Sequence, residues 1–162
     1  MSRLYYFASD NILEEQPNPY VKLLSVNQTL EMGVDVNVDM FGEDFDKDKP
    51  NVILFCEDET QIEYPNIFSI NKNDFYDDIG TTKQYCTALE WNYSDATVDV
   101  ILKYIQNHMK VSPELELWSV WLGYADITSM KSIKCKANNL TADKLKEIFT
   151  SELDFYCLTV VG

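Results

Sequence analysis

The densest run of oxygen ligands in this 162-residue chain is Gly42-Glu43-Asp44-Phe45-Asp46-Lys47-Asp48-Lys49. Asp44, Asp46 and Asp48 have the 1, 3, 5 spacing of a calcium-binding loop. That chemistry also needs a glycine at the sixth position for the tight turn and a bidentate glutamate at the twelfth. Those places hold Lys49 and Phe55, and Pro50 follows directly, so the EF-hand reading fails. A second acidic run, Glu57-Asp58-Glu59, ends an apolar stretch. Two carboxylates share acid and base work only where their surroundings drive their pKa values apart. The spacing here reads as a polar turn.

His108 is the sole histidine. That excludes any site built on two imidazoles, and no GxSxG elbow accompanies it. It falls near the end of a helical pattern, where a protonated ring would face the favourable end of the helix dipole. The five glycines form neither a P-loop nor GxGxxG, which leaves phosphate without a cradle. The expectation is no catalytic residue, no metal site and no cofactor.

Charge points the same way. The chain carries 27 Asp and Glu against 13 Lys and Arg, for a net charge of −14. Such a surface repels nucleic acid and anionic lipid, and it attracts basic proteins. Trp91, Trp118 and Trp121 have no basic neighbours patterned for base stacking, and read as core or interface anchors. The N-terminus MSRLYYFASD lacks the apolar stretch of a signal peptide, and no run approaches the ~20 apolar residues of a membrane span. Cys56, Cys86, Cys135 and Cys157 are widely spaced in apolar runs, as free buried thiols are. A cytoplasmic protein is expected.

The candidate binding residues are those where aromatics sit among carboxylates. One group is Phe41, Asp44, Phe45, Asp46 and Asp48. The other is Asp74, Phe75, Tyr76, Asp77 and Asp78. Aromatic anchors with a charged rim describe a protein interface. The leading expectation is a non-enzymatic acidic protein-binding module, in its sharpest form an immunity-type inhibitor of a basic toxin, acting as a monomer or homodimer. The alternatives are a carboxylate-based or divalent-metal-dependent enzyme using Asp44, Asp46 and Glu57 to Glu59, and a small-ligand-binding regulatory domain.

These residues need a scaffold. The length suits one domain of 1–162, with a β-rich part over 1–82 and a better-patterned part over 83–162. In the first part, strands are expected at Leu4 to Ala8, Val21 to Val26 and Asn51 to Cys56, with further short strands at Gln61 to Tyr64 and Asn66 to Ile70. A short helix is expected at Gln28 to Met32, capped by Asn27 and ended by Gly33. In the second part, a strand over Lys83 to Trp91 leads to a helix capped by Ser94. That helix carries Val98, Ile101, Leu102, Ile105 and Met109 on one face. Strands follow at Leu115 to Leu122 and Met130 to Lys136. A helix capped by Thr141 comes next, then an apolar strand over Phe155 to Val161. This β-α-β-β-α-β succession predicts an α+β fold with a ferredoxin-like C-terminal half. The additional N-terminal strands would extend a mixed or antiparallel sheet or build a second small layer.

The segments RLYYFASDN, DKPNVILFCED and ELELWSVWLG resemble small acidic uncharacterised proteins of Gram-positive bacteria. The resemblance implies a cytosolic bacterial origin and no particular activity.

Overall fold

The computed structural model describes residues 3–42, 44–70, 81–121, 130–153 and 155–162. The chain falls into two compact units, Met1–Pro17 with Pro65–Gly162, and Asn18–Tyr64.

Numbered along the chain, the larger unit holds β1 (Arg3–Ser9), β4 (Asn66–Ser69), β5 (Tyr85–Glu90), α2 (Val98–His108), β6 (Glu114–Trp121), β7 (Met130–Lys136), α3 (Ala142–Phe149) and β8 (Phe155–Val161). Six of these are strands of one mixed sheet in the order β4-β5-β1-β6-β8-β7. Every neighbouring pair is antiparallel except β7 and β8.

The expected β-α-β-β-α-β succession is present, but its strands do not pair as a ferredoxin-like unit. There, the second and third strands of the succession would lie side by side. Here β8 separates β6 from β7, and β1 separates β5 from β6. Burial explains the arrangement. Tyr6, Phe7 and Ala8 of β1 are all fully buried, so β1 is apolar on both faces and belongs in the middle of a two-sided sheet. β8 carries the same two-sided pattern through Tyr156, Cys157 and Leu158. β7 alternates Ile133 and Cys135 with Ser132, Lys134 and Lys136, and its lysine-bearing face suits an exposed edge.

Alternation divides the sheet into two apolar faces. Phe7, Leu89, Leu115, Leu117, Leu158 and Val160 face a core shared with Val98, Ile101 and Ile105 of α2 and Leu145, Ile148 and Phe149 of α3. Tyr6, Ala8, Cys86, Trp118, Val120, Phe155 and Cys157 form a second buried cluster on the opposite face. Trp91 and Trp118 are therefore core residues, whereas Trp121 is half-buried beneath the Arg3 guanidinium, 4.6 Å from its ring. The helix starts differ in cause. Thr141 caps α3 by accepting from the Lys144 amide, as its position predicts. α2 begins at Val98, not at Ser94, because the Ser94 hydroxyl accepts from Ala96 N in a turn ahead of the helix.

The Asn18–Tyr64 unit holds β2 (Lys22–Leu24), α1 (Val26–Glu31), β3 (Ile53–Phe55) and 3₁₀ turns at Val38–Phe41 and Glu59–Glu63. β2 and β3 pair antiparallel as their own two-stranded sheet. α1 is capped by Ser25 rather than Asn27. The Ser25 side chain accepts from Gln28 N, and the Gln28 side chain accepts from Ser25 N, a reciprocal capping box. Gly33 ends this segment at φ +77°, a conformation that glycine adopts without strain.

Candidate functional site

Two regions gather chemistry, one in each unit. In the smaller unit the acidic loop is a built structure. Phe41 closes a 3₁₀ turn, and Gly42 at φ +81° redirects the chain so that the Phe41 and Phe45 rings meet with centroids 4.8 Å apart. Asp46 Oδ1 accepts from Asp48 N at 3.0 Å, and Asp48 Oδ1 accepts from Asn27 Nδ2 at 2.8 Å. Asn27 N also donates to Lys47 O at 3.1 Å. Asp48 therefore ties the loop to α1 and Asp46 closes a turn within it, while Asp44 is solvent-exposed. Among the described residues no group of three or more His, Cys, Asp or Glu is arranged to hold a metal ion. Asp58 caps the second 3₁₀ turn, its Oδ1 accepting from Thr60 N and Thr60 Oγ1, which holds its carboxyl below the ordinary range. Asp74, Phe75, Tyr76, Asp77 and Asp78 lie outside the described residues.

This unit also exposes apolar surface. Tyr20, Leu23, Leu30, Met32, Val34, Met40, Leu54 and Ile62 are all exposed, and Met40 reaches 79%. Leu23 and Leu54 are direct cross-strand partners, so their side chains stand together on one face of the small sheet. Eleven acidic residues against three lysines surround them within Asn18–Tyr64. Over half of the net charge thus sits in under a third of the chain.

The second region lies where β1 ends against the C-terminal end of α2. His108 Nε2 and Ser9 Oγ are 2.8 Å apart. Ser9 Oγ also meets Ser112 Oγ at 3.2 Å and accepts from Asn11 N at 3.1 Å. Ser112 Oγ donates to Glu114 O at 2.8 Å and accepts from Asn11 Nδ2 at 3.0 Å. Ser9, Ser112 and His108 are all buried.

Counting protons assigns every role. The single Ser112 proton goes to Glu114 O, so Ser9 must donate to Ser112. The Ser9 proton is then used, and His108 must be the donor to Ser9. The imidazole is therefore the Nε2–H tautomer, and Nδ1 is its acceptor. Burial pushes the His108 pKa down, against a smaller opposing pull from Glu14, so the ring is neutral near pH 7. A neutral ring thus sits where a protonated one would gain from the helix dipole, because desolvation outweighs the dipole. A neutral histidine that donates to a serine cannot also take that serine's proton. The pair is not an activated nucleophile.

A groove of about 410 Å³ opens beside this network, lined by Ile12, Glu14, Glu15, Gln16, Tyr104, Asn107, His108, Lys110 and Val111. Tyr104 and His108 are four residues apart and share one face of α2. Tyr104 OH donates to Glu14 O at 2.9 Å, and burial pushes its pKa up to about 12. Gln16 and Ile67 exchange both backbone hydrogen bonds at 2.9 Å, and Glu15 Oε1 accepts from Ser69 N at 2.9 Å. The groove wall is held at Glu14, Glu15 and Gln16. On the other side of the network, Lys83 bridges Glu114 at 2.7 Å and Asp10 at 2.9 Å. Its ammonium holds the Glu114 carboxyl below the ordinary range.

Protein-family models, curated proteins and solved structures were compared with this chain, and none matches it.

Proposed function

We propose that the protein is a non-enzymatic binding module that engages a basic protein through its Asn18–Tyr64 unit. In its sharpest form it is an immunity-type inhibitor, a cytoplasmic bacterial protein that masks the cationic working surface of a toxin. The observation that carries the reading is the concentration of exposed large apolar side chains in the most acidic part of the chain, with Leu23 and Leu54 paired at its small sheet. Apolar anchors ringed by one sign of charge are the parts of an interface that steers a partner of opposite charge and then excludes water. Four free thiols support a reducing compartment.

The test is reconstitution with a defined partner. A basic protein captured from the source cell is purified and titrated with this protein at rising salt. Leu23→Asp with Leu54→Asp is expected to abolish binding, and salt is expected to slow association. Co-expression is expected to restore growth to cells that produce the basic partner. Binding unchanged by both substitutions and by salt sinks the reading.

A further inference from the structure

We propose that the groove beside His108 is a binding site for a cationic head, a guanidinium or primary ammonium carried on a short apolar stem. The proposal rests on the larger unit alone and stands whether or not the acidic unit docks a partner.

The argument starts from the orientation of the imidazole. His108 is 7% exposed and its Nε2–H is committed to Ser9. Nδ1 is left with a lone pair and no hydrogen-bond partner among the described residues, on a ring that lines the groove. Nδ1 is not a buried atom: it opens to the groove, where a ligand donor can take the place of water. The donor must suit the rest of the wall. Glu14 presents a carboxylate with no hydrogen bond or ion pair among the described residues, and Glu15 presents a second one, held in place by Ser69. The C-terminal end of α2 adds the negative end of its dipole. Among the described lining residues Lys110 is the one cation, and its ammonium donates to Asn107 Oδ1 at 2.7 Å.

Donor-rich cations match this set and anions do not. A guanidinium offers five N–H groups in a plane and reaches a carboxylate and a ring nitrogen together. Ile12 and Val111, exposed at 70% and 69%, flank the opening and supply apolar contact for a methylene stem. The hydrogen bonds that hold Glu14, Glu15 and Gln16 mean that this part of the wall is formed before a ligand arrives, which lowers the ordering cost of binding.

The sole histidine makes the test direct, because the imidazole nitrogens give one pair of nitrogen NMR resonances. The unmodified protein is titrated with agmatine, with a blocked Gly-Arg-Gly peptide and with the matching citrulline peptide. Agmatine is expected to move the Nδ1 resonance saturably while Nε2 stays bound to its proton. A response to the arginine peptide as well identifies a side chain of another protein as the source, and a response to agmatine alone identifies a free amine. Either supports the site. Glu14→Gln with Glu15→Gln is expected to weaken binding about tenfold or more, as loss of a charged hydrogen bond does, with the amide spectrum otherwise unchanged. No response of Nδ1 to either cation, or equal binding of the neutral citrulline peptide, overturns the proposal.

Discussion

The sheet unit and the Asn18–Tyr64 unit place their apolar residues in opposite ways. In the first, six strands and two helices sandwich Ile101, Ile105, Leu117 and Ile148 at no measurable exposure. In the second, two three-residue strands and one short helix leave eight large apolar side chains at the surface. Size is the reason. Forty-seven residues cannot enclose much volume, and short elements have little face to bury. The larger unit is held by packing. The smaller is held by caps and side-chain turns, from Ser25 with Gln28 to Asp48 with Asn27, and is left with apolar surface to offer.

The contrast can be broken most forcefully in the cores. Ile105→Ala is expected to cost about 2–5 kcal/mol, since it opens a cavity between α2 and the sheet. Leu54→Ala is expected to change stability by less than about 0.5 kcal/mol, the usual effect at an exposed site. Chemical denaturation of both variants decides the matter, and an equal cost would mean that the small sheet is covered. The next largest effect is expected from Ser9→Ala, which strands the His108 Nε2–H and the Asn11 N–H. A cost of about 1–3 kcal/mol follows from an unsatisfied buried donor. Ser9→Cys keeps an acceptor of sorts and is expected to lose less.

A smaller effect is expected from pH. The folded imidazole titrates below its ordinary value of about 6.5, so the unfolded chain binds the proton more readily. Stability is therefore full above that value and is lost as pH falls from it towards the lowered folded value. Glu14 softens the loss. Melting curves between pH 7 and 5 are expected to slope downward, and His108→Gln is expected to flatten them. The carboxylates Glu15, Asp58 and Glu114 titrate below their ordinary values and contribute only at lower pH. The smallest effect is expected from Asp48→Ala, which frees the loop from Asn27. Hydrogen exchange of the Asn27 amide is expected to accelerate while the global melting point barely moves.

Periodicity located individual elements well. Met130–Lys136 and Phe155–Val161 form strands with the bounds their patterns imply, and Thr141 caps as its type dictates. Helix starts at Ser94 and Asn27 were misplaced because several residues nearby can accept an amide proton, and only the local backbone selects one. The ferredoxin-like pairing failed for a deeper reason. Strand order is decided by which faces must be buried together, and β1 pairs with β5 and β6, whose residues stand about eighty to more than a hundred positions away. The loop aromatics Phe41 and Phe45 meet because Gly42, at positive φ, turns the chain between them.

The groove by His108 shows the limit most plainly. The histidine is legible in the sequence as a solitary residue at a helix end, where a charged ring would suit the dipole. Its partners Ser9, Asn11 and Ser112 carry no motif, and His108 and Ser9 are 99 residues apart in sequence. By itself the sequence determined the charge, the thiol state it favours, the helical and extended segments and the acidic setting of the loop, because each depends on composition or on neighbours within a turn or two. Only the tertiary structure decided the strand order, the neutral tautomer of His108 and the open Nδ1 beside Glu14, because burial and proton partners are set by chains that meet from distant parts of the molecule.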